Sequence, residues 1–195
     1  MRISIDNQNV FFASDFHFFH NNVIRFDNRP FKNVGDMNQT IIKNWNSKIK
    51  PTDTVFFLGD LSFSDLAKTK NLVHQLNGKI HYILGNHDDE RDIKALGRFE
   101  TINDYVHLSI LDTDNPKKWQ NIMLFHYAIL QWDKAHHGAW HLHGHSHGAL
   151  VKDKEYAWYY KFKVIDAGCN MWDYTPLSYN EIKQIMIKRE TKGHH

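Results

Sequence analysis

Short runs rich in β-branched and aromatic residues alternate along the chain with longer stretches in which apolar residues recur at helical spacing. This is the pattern of strands interleaved with helices in an α/β architecture. Ile3–Ile5 and Val10–Ala13 read as the first two strands. From Gly35 to Lys48 the residues Met37, Ile41, Ile42 and Trp45, continued by Ile49, fall on one helical face. Lys50-Pro51 closes that pattern because the residue before a proline avoids the α region. Thr54–Leu58 reads as a buried strand, Ser64–Leu76 as a helix capped by Ser64 and stopped at Asn77-Gly78, and Lys79–Leu84 as the next strand, with a short helix after Asp88. From about Glu100 the chain becomes mostly sheet-like, in the runs Thr101–Leu111, Gln120–His126, Trp140–His143, Ala149–Val151 and Tyr156–Ile165, with a turn at Asp114-Asn115-Pro116. A last helix opens at Ser178, where Glu181 completes a capping-box pattern ahead of Ile182, Ile185 and Met186.

The chain has 195 residues and no Gly/Ser- or Pro-rich linker, low-complexity tract or internal repeat. Two sheets packed on one core are therefore expected, as a single domain over residues 1–192. Gly193-His194-His195 reads as the remnant of a purification tag. The 24 Lys+Arg nearly balance the 22 Asp+Glu, so charge advertises no basic nucleic-acid tail, membrane arm or acidic disordered segment. The lone Cys169 can form neither an internal disulfide nor a thiolate metal site. Met1 to Val10 lacks the apolar core of a signal peptide, and no apolar run approaches the roughly 18 residues that span a bilayer. The expectation is a cytoplasmic protein without a membrane or an obligate protein partner. What stands out is 15 histidines, seven of them between His126 and His147, since imidazole is the commonest metal ligand.

Polar residues gather where the strands end. Asp15 and His17 follow the run Val10–Ala13, and a spacing of two on an extended chain points both the same way. Such a pair also occurs in ordinary loops. Gly59-Asp60 ends Thr54–Leu58, where the carboxylate could equally cap a helix or serve a turn, and Gly85-Asn86-His87-Asp88 ends the next strand in residues that turns commonly use. Ligand sites in open α/β sheets collect at strand carboxyl ends, so three such termini can converge. In the second half His126 ends a strand, and Gly144-His145-Ser146-His147 follows another. His141, His143, His145 and His147 are all two apart; four imidazoles overfill one site, and His141 and His143 are read as hydrogen-bonded within their strand. His74, His81 and His107 carry no partner motif, and His136 and His137 stay open.

The ordered set Asp15-x-His17, Gly59-Asp60, Gly85-Asn86-His87-Asp88, His126 and Gly144-His145-Ser146-His147 resembles the calcineurin-like metallophosphoesterases, over about two-thirds of the chain. The stretches from Asp15 to Pro30 and Asn44-Trp45-Asn46 before Pro51 are similar to a compact bacterial and bacteriophage branch of predicted phosphoesterases. The resemblance implies a four-layer α/β/β/α sandwich, two mixed sheets flanked by helices, with two metal ions at the strand ends. Asp15, His17 and His147 would hold the first metal, Asn86, His126 and His145 the second, and Asp60 would bridge them. Oxygen and imidazole donors without thiolate suit Mn, Fe, Zn, Mg or Ni and leave the choice among them open; Mn is the first expectation. Such a pair can generate a bridging hydroxide for in-line attack and clamp the phosphoryl oxygens. By the same resemblance His87 would protonate the leaving oxygen, and Asp88 would orient it.

The expected activity is hydrolysis of a phosphodiester, with a nucleotide or nucleic-acid derivative as a candidate substrate. Near the first motif His20, Arg25 and Arg29, with Asn86, are candidate substrate contacts, because a guanidinium pairs well with phosphate; each arginine could equally serve an ion pair. The alternatives are a phosphomonoesterase or a non-catalytic metal-binding scaffold of the same fold. A metallo-β-lactamase type hydrolase is excluded, since it needs an H-x-H-x-D-H block and His143-Gly144-His145-Ser146-His147 lacks the following Asp-His.

Overall fold

The computed structural model describes residues 1–6, 9–115 and 117–193. Its strands are β1 (Arg2–Ile5), β2 (Val10–Ala13), β3 (Thr54–Phe57), β4 (Lys79–Ile83), β5 (Phe99–Asn103), β6 (Tyr105–Leu111), β7 (Trp119–Phe125), β8 (Trp140–His143), β9 (Val164–Asp166) and β10 (Leu177–Ser178). Its α-helices are α1 (Asn21–Phe26), α2 (Val34–Lys48), α3 (Leu66–Val73), α4 (Glu90–Ala95), α5 (Ala149–Lys152) and α6 (Tyr179–Met186). The strands form two mixed five-stranded sheets in the orders β10-β2-β3-β4-β5 and β1-β6-β7-β8-β9. The run from β2 to β5 is parallel throughout, as is the run from β7 to β9.

Side chains alternating across each strand divide the apolar residues between layers. Val10 and Phe12 of β2, Phe56 of β3 and Ile122 and Leu124 of β7 fill the space between the sheets. Ala13, Val55 and Phe57, on the opposite faces of β2 and β3, meet Ile41 and Trp45 of α2 and Leu72 and Val73 of α3. Met123, out of phase with its neighbours in β7, packs outward with Trp132, Ala139 and Tyr159. The outer cover there is irregular chain with 3-10 turns at Ala135–His137 and Tyr159–Lys161. The capping box of α6 forms as expected, Ser178 and Glu181 exchanging hydrogen bonds, and Tyr179, Ile182 and Met186 enter the inter-sheet core.

Four expectations change. The single run Thr101–Leu111 is two strands, β5 and β6, in different sheets; periodicity cannot register a change of partner sheet at Asp104. Ala149–Val151 is helical, and of Tyr156–Ile165 only Val164 and Ile165 are in a strand. The aromatic run before them is held in turns by packing, with Tyr159 buried and its hydroxyl donating to Ile129 O at 2.7 Å, so tertiary contacts override β-propensity. The third helix is capped by Asp65, not Ser64: its carboxylate accepts from Lys68 N at 2.9 Å. Helix α1 has no counterpart in the periodicity. Pro116 of the expected turn, and His194 and His195 of the expected tag, lie outside the described residues.

The carboxyl ends of β2, β3 and β4 in one sheet and of β7, β8 and β9 in the other lie at the same end of the sandwich, where Ser14 forms a parallel bridge with Gly168. The fully buried Trp45 anchors the helical layer behind that end and donates from its indole to Asn77 O at 2.9 Å. Trp45→Ala is expected to cost about 3–5 kcal/mol of stability, read from the denaturant midpoint.

Candidate metal centre

Seven side chains placed by those strand ends close a ring of contacts. His17 Nε2 lies 3.0 Å from His147 Nε2, which is 3.5 Å from Asp15 Oδ1. Asp60 Oδ2 stands 3.7 Å from His17 Nε2 and 3.5 Å from His126 Nε2. His126 Nε2 is 3.0 Å and His145 Nδ1 2.7 Å from Asn86 Oδ1. The backbone N–H of His145 closes the ring by donating to both Asp15 oxygens at 3.1 Å. Two overlapping groups within it, Asp15–His17–His147 and Asp15–Asp60–His126, have ligand atoms close enough to share one cation. Asp15 as well as Asp60 therefore spans the two halves.

The backbone is bent to achieve this. Asp15, His17, Asp60, His145 and His147 all have positive φ, between 47° and 66°. Non-glycine residues held there cost about 1–3 kcal/mol each and cluster at functional sites. Gly59, at φ 93°, lets the β3 and β4 ends touch: a Cβ on it would stand 2.6 Å from Gly85 N and 2.8 Å from His126 Nδ1.

Hydrogen bonds turn the lone pairs inward. A carbonyl only accepts, so His126 Nδ1, 2.6 Å from Leu58 O, carries a proton and leaves Nε2 for the centre. His147 Nδ1 donates likewise to Asp27 Oδ2 at 2.8 Å. Among buried side-chain atoms of the described residues, His17 Nδ1 has no partner. Burial presses the His17 pKa down to about 3. Burial also opposes charge on His147, but hydrogen bonds to Asp15 and Asp27 and their charges raise its pKa to about 10. For His126 burial is outweighed by Asp60 and Asp15, and its pKa rises. These upward shifts express a negative field at the centre of the ring, one that a cation would feel at the same place. The donor set of carboxylate, amide and imidazole thus fits a divalent metal.

All seven expected ligands come together, and His87 joins them at the edge. Its backbone N–H donates to Asp60 Oδ1 at 3.0 Å, and its exposed ring stands 5.8 Å from that of His17. Asp88 does not orient that imidazole. Its carboxylate accepts from Gly85 N at 2.7 Å, Asp60 N at 3.0 Å and the Tyr82 hydroxyl at 2.9 Å, tying the β3 and β4 ends together. Nor does Arg29 face a substrate. It is 4% exposed and donates to Phe16 O at 2.8 Å, Asp15 O at 3.0 Å and Asp27 at 3.1 Å. Arg25 is exposed with its guanidinium over the Phe26 ring, and His20 stacks on Phe63 at 4.2 Å. His141 and His143 are satisfied inside the protein: their Nδ1 atoms donate to Met123 O and Gly144 O, and their Nε2 atoms accept from Ile129 N and the Tyr160 hydroxyl.

Two carboxylates escaped the sequence reading. Asp27 fixes His147 and has no motif to mark it. Asp166 accepts from Ser146 Oγ at 2.5 Å and Gly148 N at 2.8 Å, shaping the turn that carries His145 and His147. It ends an apolar run just as Asp60 does, and that signal could have found it.

The chain is 34% identical over 183 residues to the uncharacterized protein MJ1445 of Methanocaldococcus jannaschii, with 92% of each covered. The chain belongs to that protein's family. A second relative of this MJ1445 family member, the gene 66 protein of Mycobacterium phage L5, is 27% identical over 168 residues, covering 73% of this chain and 79% of the phage protein. The crystal structure of AQ665, a protein of unknown function from Aquifex aeolicus, shares the fold with a TM-score of 0.68 at 24% identity, over 94% of this chain and 100% of that one. No family model matches the chain. Among the described residues no helix is long and apolar enough to cross a membrane.

Because Asp27 holds the tautomer of His147, Asp27→Asn is expected to weaken metal binding about 10–100-fold, the usual cost of losing such a partner, as read by metal titration calorimetry.

Proposed function

We propose that the chain is a metal-dependent phosphoesterase on the plan of the calcineurin-like metallophosphoesterases that its motifs resemble, with phosphodiesters as its main substrates. The observation that carries this reading is the closed ring of Asp15, His147, His17, Asp60, His126, Asn86 and His145, whose side-chain nitrogens and oxygens lie 2.7 to 3.7 Å apart and which the His145 N–H closes onto Asp15. Asp15, His17 and His147 would hold one ion and Asn86, His126 and His145 the other, with the Asp60 carboxylate available to both sets of donors. Two ions of the Mn type bound there would supply Lewis acidity to the phosphoryl oxygens and lower the pKa of a water.

The chain's own groups do the rest. Asp27 and the Leu58 carbonyl keep His147 and His126 in the tautomers that present Nε2. His87, exposed beside His17 and tethered through its backbone to Asp60, would deliver a proton to the departing ester oxygen. Asp88 and Arg29 act on backbone, holding the turns that carry Asp60 and Asp15.

The deciding experiment is hydrolysis of bis(p-nitrophenyl) phosphate with added Mn²⁺. Activity abolished by a chelator and restored by metal is expected, and a metal-loaded protein inert toward phosphodiesters and phosphomonoesters alike would overturn the reading. His87→Ala is expected to keep its metal content while kcat falls about 10²–10⁴-fold. Asp60→Asn is expected to lose both bound metal and activity, the former measured by elemental analysis.

A further inference from the structure

Three aromatic side chains lie open to solvent around the centre; two of them touch its histidines and the third touches His20 beside it. Phe63, 40% exposed, has its ring 5.2 Å from His17 and 4.8 Å from His87. Phe26, 65% exposed, lies 6.2 Å from His20, which itself stacks on Phe63. Tyr127, 38% exposed, lies 5.2 Å from His126 and 4.7 Å from His145. Single exposed apolar residues are ordinary on a protein surface. Here, however, Phe63 flanks the Asp15–His17–His147 half, and Tyr127 flanks the half built from Asn86, His126 and His145. A phosphodiester straddling the centre thus has a partly exposed aromatic ring on either side, Phe63 with His20 stacked on one of its faces and Tyr127.

The rest of the rim suits the same occupant. A cleft of about 720 Å³ opens beside His145 and His147, in the size range of small-ligand sites, and Phe26, Asn28, Lys152 and Asn170 line it. Arg25 sits over the Phe26 ring at 5.4 Å, one cation paired with one ring at the edge of a cleft that Asp27 and Asp173 line together with Lys152. Aromatic faces interleaved with cations are how proteins hold single-stranded nucleic acid without reading its sequence. The exposed amide of Asn28 can pair with base edges and sugar hydroxyls, whereas Asn170 is already engaged by Asp27 and the Cys169 thiol. A duplex keeps its base faces stacked inside and offers none to Phe63 or Tyr127.

We propose that the phosphodiester taken by this centre is internucleoside, a dinucleotide or the end of a single strand, with one base on Phe63 and the other on Tyr127. This rests on the phosphoesterase reading above. In the reaction a water oxygen bonds to phosphorus, the P–O ester bond breaks, the leaving sugar oxygen takes a proton, and the products are a nucleoside phosphate monoester and a free hydroxyl.

The test uses two chromogenic diesters with one leaving group, thymidine 5′-(p-nitrophenyl) phosphate and methyl p-nitrophenyl phosphate, on the Mn²⁺-loaded protein. It is paired with calorimetric binding of a non-hydrolysable, methylenephosphonate-linked thymidine dinucleotide. The thymidine diester is expected to have a kcat/KM at least about tenfold higher, and Phe63→Leu and Tyr127→Leu each to weaken dinucleotide binding about tenfold, the order of one base stack. Because both rings are exposed, leucine at either place leaves the core intact, which circular dichroism checks. Equal kcat/KM for the two diesters, or dinucleotide affinity unmoved by both substitutions, overturns the nucleic-acid assignment while hydrolysis of the methyl diester leaves the phosphoesterase standing. Hydrolysis of neither diester overturns both.

Discussion

The carboxylate of Asp15 is almost wholly withdrawn from water, and the protein meets its charge with the backbone N–H of His145, 3.1 Å from both oxygens. An ionised carboxylate in a dry interior is tolerable only when hydrogen-bonded and faced by positive charge. The link joins the end of β2 to the turn after β8, and so joins one sheet to the other. Arg29, clasping the Asp15 carbonyl and Asp27, and Asp27, clasping His147, extend the same compensation outward. The two sheets are thus tied at one end by the electrostatics of the centre as well as by the apolar core between them.

The same requirement explains why the chain tolerates strained backbone where it does. Five of the seven ring residues have positive φ, a conformation that side chains disfavour unless the surroundings over-determine it. Those surroundings are visible: Asp88 binds the β3 and β4 ends, Asp166 braces the His145–His147 turn, and Leu58 O holds His126. Rigid turns on strand ends place ligand atoms more reproducibly than free loops could. A strained ring that gathers two buried carboxylates is suited to a bound cation, which links the fold's least comfortable region to its proposed chemistry.

The histidines separate by environment. His17, His126, His145 and His147 face the ring and His87 stands over it, whereas His141 and His143 spend both ring nitrogens on interior partners. His74 and His81 likewise meet Leu96 O and the Thr101 hydroxyl. The resemblance of the motifs to a known family implied this division, each ligand lying at or within a few residues of a strand's carboxyl end. It failed for Asp88 and Arg29, whose charged groups turn to backbone, since a side chain's direction depends on neighbours distant in sequence.

The period-two and helical patterns determined that this is an α/β protein, and the strand-end motifs, through the family they resemble, implied that Asp15, His17, Asp60, Asn86, His126, His145 and His147 belong together. Local steric preference and the one-face burial of short strands are properties of neighbouring residues, so a sequence displays them directly. Tertiary structure alone decided that Thr101–Leu111 changes sheets, that an aromatic run becomes turns, that Asp27 and Asp166 brace the centre, and that Phe63 and Tyr127 flank its two halves. Each of these depends on contacts between segments tens of residues apart, formed only when the two sheets close on one another.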